Sequence, residues 1–280
     1  MKKVFVFVLP LITFAAFSQT PTGKIVLKKG QNFVIDSKSD GAVTQEMAGQ
    51  SMAMTIGSTT KTVADVKESK NDFYTITQTV TNLKSTFSGM GQEKTFDSDK
   101  KEDLTSEAGA MFKDKLNVPK DIVISNEGKN VVSADTSKKV ADTNPMSAMM
   151  DMMGGGQDNA SASLFLVIPA GKKAGESWQD STSSDGVKLK RTYTLNSIIN
   201  KQATVTINGL LAINKTMQVQ GMDMNAVMTS KISSTVLVDL ATNIQKENKS
   251  ITDVNGTIDV MGQSVPVTSK ITTATTITTL

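Results

Sequence analysis

The sequence predicts a mainly β fold: long antiparallel strands in a barrel or curved half-barrel of two pseudo-repeated halves, with one or two short helices. Three observations predict it. The C-terminal stretch repeats itself, since Val219-Gln220-Gly221 runs on to Thr229-Ser230-Lys231-Ile232 and Val260-Met261-Gly262 runs on to Thr268-Ser269-Lys270-Ile271. A weaker echo near the front, Met47-Ala48-Gly49-Gln50-Ser51, matches Met261-Gly262-Gln263-Ser264. Apolar residues and Thr alternate with period two over long runs, the pattern of half-buried strands. Helical spacing occurs in only two places, near residues 104–116 and 145–153.

Composition narrows the function. The chain has 280 residues, 38% hydrophobic and 5% aromatic, so its core is built from Val, Ile, Leu and Met. Net charge is +3, and loss of Lys2 and Lys3 with a leader brings it to +1. Such a balance gives no electrostatic case for nucleic acid. The chain has no Cys and no His, which removes disulfides, thiolate chemistry, the usual general base and the commonest zinc ligand.

Residues 1–18 read as a secretory signal peptide. Lys2-Lys3 is basic, Val4 to Phe14 is apolar, and Ala16 and Ser18 are small residues before a cut at Gln19. The apolar run falls short of the ~20 residues that span a bilayer, and no second candidate follows. The expectation is an exported protein, periplasmic or extracellular, with no transmembrane span.

Residues 19–140 form the N-terminal β half. Ile25 to Lys28 reads as a strand ended by a turn at Lys29-Gly30, and a strand resumes at Asn32. Asp40-Gly41 is a hairpin signal, because Gly accepts a positive φ. The run Ala42 to Met54 breaks at Gly49, a bulge or turn. In the run Asp72 to Leu83, Tyr74, Ile76 and Val80 share one face and Thr75, Thr77, Thr79 and Thr81 the other. Leu104, Ala108, Met111, Phe112 and Leu116 mark one face of a helix of about three turns that ends before Pro119. Asp121 to Ser125 and Asn130 to Ser133, joined by Asn126-Glu127-Gly128, read as a small hairpin.

Residues 141–163 are a Met/Gly-rich helix and linker. Asn144 suits an N-cap, Pro145 the first helical position and Gly154 the position past the end. Residues 164–280 form the C-terminal β half. It opens with a strand from Leu164 to Ile168, then Gly175-Glu176-Ser177-Trp178. Val187, Leu189, Arg191, Tyr193 and Leu195 alternate with Lys188, Lys190, Thr192, Thr194 and Asn196. Asn208-Gly209 and Asn255-Gly256 read as hairpin turns. Whether the halves share one sheet is open at this level.

Ligand-binding candidates are Met146, Met149, Met150 and Met153, on one helical face, together with Trp178 and Tyr193. The plain reading of the Met face is packing over an end of the sheet. The functional readings are a lid for a hydrophobic ligand, since Met is adaptable packing material, and a soft-sulfur Cu(I) site. Trp178 and Tyr193 suit a core or a ligand pocket. No catalytic residue, metal site or cofactor is assigned. Asp97, Asp99, Glu102 and Asp103 lack the central Gly of a calcium loop and read as a solvated turn. Ser58-Thr59-Thr60-Lys61 fits a Ser-x-x-Lys pattern, but its partner motifs are absent and it falls in a strand. Gly154-Gly155-Gly156 follows a helix and so cannot cradle phosphate.

The order of several short motifs resembles an exported, Bacteroidota-type family of unknown function. They are Leu27-Lys28-Lys29-Gly30 before a strand with Phe33, where the family usually has Tyr; Thr44-Gln45-Glu46-Met47-Ala48-Gly49-Gln50; Phe96-Asp97-Ser98-Asp99; Ile124-Ser125-Asn126-Glu127-Gly128; Gly175-Glu176-Ser177-Trp178; and Val238-Asp239-Leu240-Ala241-Thr242. Asn243 follows where the family more often has Gly. The resemblance implies no known activity. The expected function is therefore a non-enzymatic carrier or binder of a hydrophobic small molecule or lipid. The alternative is a structural or surface-interaction β protein with a filled interior.

Overall fold

The computed structural model describes residues 20–47, 50–89, 91–112, 115–131, 164–184, 186–219, 222–260 and 262–280. The leader, residues 1–18, and the Met face lie outside the described residues. The first half supplies β1 (Asn32–Met47), β2 (Gln50–Lys70), β3 (Phe73–Gly89) and β4 (Gln92–Asp97), helices α1 (Lys101–Leu104) and α2 (Glu107–Phe112), then β5 (Lys120–Ser125) and β6 (Asn130–Val131). The second supplies β7 (Ser177–Ser184), β8 (Val187–Ile199), β9 (Gln202–Val219), β10 (Met222–Asp239), β11 (Ile244–Val260) and β12 (Gln263–Thr279).

These strands form one antiparallel sheet in the order β6-β5-β3-β2-β1-β12-β11-β10-β9-β8-β7, with β4 beside β5 on the edge of β3. The halves share the sheet through β1 and β12, paired from Phe33↔Thr279 to Gln45↔Val267. The end strands β6 and β7 do not pair, so the sheet is not closed. This is compatible with the curved half-barrel. No helix among the described residues is long and apolar enough to cross a membrane.

The repeat is real in the backbone. Val219 pairs with Met222 and Val260 with Gln263, and both Thr-Ser-Lys-Ile segments are extended, in β10 and β12. Met47↔Gln50, Gly89↔Gln92 and Ser184↔Val187 reverse in the same way. All five pairs lie at one end of the sheet, and in the sequence the two residues between each pair end in Gly; Gly91, Gly186 and Gly262 have φ of 71°, 77° and 82°. At the other end Asn71-Asp72 and Asn200-Lys201 have positive φ at both positions, the hairpin geometry that follows strand twist.

Three expected turns do not form. β1, β9 and β11 run unbroken through Asp40-Gly41, Asn208-Gly209 and Asn255-Gly256. At the latter two the reason is packing. A Cβ on Gly256 would meet the Val227 carbonyl and stand 2.7 Å from the Met228 Cα, and one on Gly209 would stand 3.3 Å from Ile232 Cβ. Glycine there allows close approach within a strand rather than reversal.

The helix expected from Leu104 to Leu116 is instead split at Thr105-Ser106. Ser106 Oγ donates to the Asp103 carbonyl at 2.6 Å and accepts from Gly109 N at 3.1 Å, so this residue ends one helix and starts the next. Leu116 pairs with Val80 in an isolated bridge. Nor are the segments at Ile25 and Leu164 strands. They are extended straps, of which only Phe165 makes a bridge, to Ile244. The hairpin of β5 and β6 forms around Gly128 as expected, as far as Val131.

Strand alternation gives the sheet a covered face and a polar face. Under the straps the covered face carries Phe33, Ile35, Ala64, Val66, Tyr74, Ile76 and Ile277, packed on Ile25, Leu27, Leu164 and Phe165. Beside it Tyr193, Leu195, Val205, Val236 and Val238 pack on Ile168. Thr77 departs from the expected solvated Thr face: it is buried and donates to Asp121 Oδ1 at 2.5 Å.

Asn243 fastens both straps. It is wholly buried with φ 56°. Its Nδ2 donates to the Lys24 carbonyl at 2.7 Å, its Oδ1 accepts from Ile168 N at 3.2 Å, and its carbonyl accepts from Leu166 N at 3.0 Å. Asn243→Gly keeps the left-handed backbone but orphans the Lys24 carbonyl and the Ile168 amide. We expect a loss of about 1–3 kcal/mol for each orphaned group, read from urea denaturation midpoints. Asn243→Asp sets a carboxylate against the Lys24 carbonyl and is expected to lose more than the Gly variant. A Gly variant as stable as the wild type would show that the straps are held by packing alone.

Candidate functional site

Beyond the straps the covered face is layered. The register aligns Ser234, Ser250, Thr273, Ser39, Ser58 and Ser85 in one row across β10, β11, β12, β1, β2 and β3. Ser39 and Thr273 hydroxyls bond at 3.1 Å, as do Ser37 and Thr275 in the next row. This hydroxyl belt separates the strap-covered core from a second apolar zone nearer the Gly tips.

That zone holds two clusters built from strand residues alone. One is Ile213, Ala226, Met228 and Val254, with Val187 and Leu211 half-buried beside it. The other is Val43, Ile258 and Val267, with Met54, Ile56, Met224 and Val265 half-buried. Ser269 Oγ lies between Val43 and Val254 in register, buried and without a hydrogen-bond partner. These apolar residues lie on the one face of an unclosed sheet where a greasy molecule could lie against rigid strands. The sequence alone does not assemble this zone. The signal was the period-two apolar pattern toward the Gly-ended tips.

Of the proposed ligand residues, Met146, Met149, Met150 and Met153 lie outside the described residues. Trp178 and Tyr193 are brought together on β7 and β8, rings stacked with centroids 5.1 Å apart and planes within 5°. Tyr193 is buried in the cluster around Ile168, and Trp178 packs against that cluster. Their neighbours are a pair the sequence reading did not single out. Arg191 donates to both Asp180 oxygens at 2.9 and 2.8 Å, and Tyr193 Oη donates to Asp180 Oδ2 at 2.8 Å. Arg191 also stands 5.7 Å from the Tyr193 ring centroid. The only signal was an Arg on the apolar side of the β8 alternation. Charges pointing inward on an edge strand oppose pairing with another sheet edge, so the cluster helps to keep β7 single.

Burial raises the Tyr193 pKa above the ordinary phenol value, against the opposing pull of Arg191. Burial works against the Arg191 charge, yet the Asp180 hydrogen bond leaves the guanidinium pKa raised. A phenol whose folded pKa exceeds its unfolded value of about 10 favours folding while protonated. That contribution is complete below about pH 10 and is lost as pH rises toward the folded value. We therefore expect wild-type stability to fall by about 1.4 kcal/mol per pH unit above about pH 10 relative to Tyr193→Phe. Paired denaturation curves for the two proteins across that range check this.

The carboxylates after β4 serve the turn. Asp97 Oδ1 accepts from Asp99 N at 3.0 Å, Asp103 Oδ2 accepts from Asp97 N at 2.8 Å, and Lys84 Nζ lies 3.0 and 3.4 Å from Asp97 and Asp99. The Asp99 amide, then Lys84, lowers the Asp97 pKa. Among the described residues no group of three or more acidic side chains is placed to hold a metal ion. Ser58 and Lys61 lie three apart in β2, on opposite faces, which is not the helix start that the Ser-x-x-Lys chemistry needs.

No curated protein matches the chain. Among solved structures, one reported for lipid–protein interactions in lipovitellin is similar with a TM-score of 0.53 at 14% identity, covering 90% of this chain. The chain spans 25% of that lipovitellin chain, and at this identity the likeness is one of fold alone. Pseudomonas aeruginosa OccK7 (OpdD) is matched with a TM-score of 0.27 at 6% identity, over 91% of this chain and all of that one. An outer membrane channel from Pseudomonas putida F1 is matched with a TM-score of 0.24 at 7% identity, over 92% of this chain and 99% of that one. A family model matches residues 71–244, from the first hairpin turn at the strap end to the start of β11, and by this match the chain belongs to a family of unknown function, DUF6263.

Proposed function

We propose that this protein is an exported, non-enzymatic binder of a hydrophobic small molecule or lipid. The observation that carries the reading is the apolar zone beyond the hydroxyl belt. Its half-buried side chains, Met54, Ile56, Met224, Val265, Leu211 and Val187, belong to clusters made only of strand residues. Open strand faces of this kind gain ~25 cal/mol per Å² when an apolar partner covers them. The fold likeness to the structure reported for lipid–protein interactions in lipovitellin makes lipid the first ligand class to try. Export rests on the basic, apolar and small-residue order of residues 1–18.

Two measurements check the reading. Mass spectrometry of organic extracts from protein purified out of its native cells should release a bound apolar molecule, and N-terminal sequencing should begin at Gln19. Ile56→Ser with Met224→Ser should weaken binding of a hydrophobic fluorophore about tenfold or more, since one buried apolar side chain contributes ~1.5–3 kcal/mol. Clean extracts together with unchanged fluorophore binding would instead favour the structural, surface-interaction reading.

A further inference from the structure

The polar face carries a second feature, independent of the apolar zone. Two hollows of about 400 and 370 Å³ lie there, and Ser233 on β10 lines both. The register explains their continuity. Thr192, Asn208, Ser233, Ile251, Thr272 and Asp40 align in one transverse row, from β8 across β9, β10, β11 and β12 to β1. These mostly short side chains form the floor of a trough that runs across six strands.

Lysines stand on both banks. The row on one side places Lys190, Lys231 and Lys270 on β8, β10 and β12. Alternate strands in a sheet are roughly 9.5 Å apart, so this bank presents a cation at that interval. The row on the other side places Lys249 on β11 and Lys38 on β1. Lys190, Lys231 and Lys270 are exposed and have no ion-pair partner among the described residues. The acids nearby are Asp253, between Lys231 and Lys270 in the same row; Asp40, 3.2 Å from Lys38; Glu247, 3.8 Å from Lys249; and Asp36, in the same row as Glu247. Five lysines thus face four carboxylates, and the three without an ion pair lie together on one bank.

We infer that this trough binds a linear acidic polysaccharide. A chain lying across the strands meets a regular series of ammonium groups on one side. Below it run hydroxyl and amide groups of Thr192, Asn208, Ser233 and Thr272, which match a hydroxylated backbone. The exposed Leu210 and Ile251 offer apolar patches for sugar C–H faces. A flat anionic membrane would touch the banks but not the floor, so a flexible chain fits the trough better.

The test is affinity electrophoresis of the mature protein through gels containing polygalacturonate, with neutral dextran gels as reference. Polygalacturonate should retard the wild type, dextran should not, and retardation should fall as salt is raised. The triple variant Lys190→Gln, Lys231→Gln, Lys270→Gln should bind tenfold or more weakly, and so should Ser233→Glu, which sets an anion where the hollows meet. A control triple at the strap end, Lys28→Gln, Lys67→Gln, Lys70→Gln, removes the same charge and should bind as the wild type does. Melting curves of all variants should superimpose, because every altered side chain is exposed. The inference is overturned if polygalacturonate does not retard the protein, or if the control triple weakens binding as much. It is equally overturned if phosphatidylglycerol vesicles or a single-stranded oligonucleotide bind while the polysaccharide does not. Loss of apolar ligand binding by Ile56→Ser with Met224→Ser leaves these outcomes unaffected, since those residues lie on the opposite face.

Discussion

The hydrogen bonds of Asn243 are the constraint on which the strap end of this structure depends. A sheet that does not close must bury one face by other means. Here two extended straps do so, and extended chain outside a sheet ladder has backbone groups that need partners. Asn243 supplies three of them from one buried position: a donor to Lys24, an acceptor for Ile168 and a carbonyl for Leu166. Gln245 adds a fourth by donating to the Phe165 carbonyl at 3.0 Å, and the Tyr74 hydroxyl a fifth, to the Ile25 carbonyl at 3.0 Å. Asn tolerates the left-handed backbone that Gly would adopt and brings an amide besides. The polar ends of these side chains thereby permit an apolar core beneath chain that has no strand neighbour.

The layering of the covered face follows from the same economy of coverage. Where the straps lie, large side chains such as Phe33, Ile76 and Leu195 are fully buried. Where they stop, small hydroxyl side chains take over and satisfy one another across strands, as Ser37 does with Thr275 and Ser39 with Thr273. Beyond them the face turns apolar again, in clusters of strand residues only. The β-bulges, after Lys61, Val66, Leu195 and Leu237, all fall toward the strap end, where extra twist wraps the sheet around its straps. The tip end has an unbroken register, which keeps both the apolar zone and the transverse polar rows regular.

The edges of the sheet are treated differently from its middle. β3 is shared by β4 and β5, and Phe96 of β4 packs on Phe112 of α2 with centroids 4.9 Å apart, so the helical insertion covers that flank. Among the described residues no helix covers the opposite edge, β7. It carries Asp180 on the covered face, ion-paired with Arg191 and accepting a hydrogen bond from the Tyr193 hydroxyl. Stacking of Trp178 on Tyr193 anchors the start of the strand. The two stacked aromatic residues thus help to hold this edge.

By itself the sequence determined the strand content, the alternation that separates the two faces, and a turn or bulge at the glycines of the repeat. Each of these is encoded within a few residues, by side-chain period or by the need for a positive φ. The family resemblance, not the sequence by itself, marked Asn243, which stands where that family more often has Gly. Only the tertiary structure decided that Asp40-Gly41, Asn208-Gly209 and Asn255-Gly256 lie inside strands. A glycine that permits reversal and one that permits a neighbour such as Met228 to come close are identical in one dimension. Likewise the helical spacing of Leu104 to Leu116 is a true local signal, overridden when Ser106 bonds the backbone and Leu116 is taken by Val80. Alternation marks the single apolar residues of the second zone, but the hydroxyl belt, the assembled zone and the lysine banks are not legible along the chain, because their members lie on up to six strands far apart in sequence. They exist only once β1 pairs with β12 and the register is fixed, which local propensity does not specify.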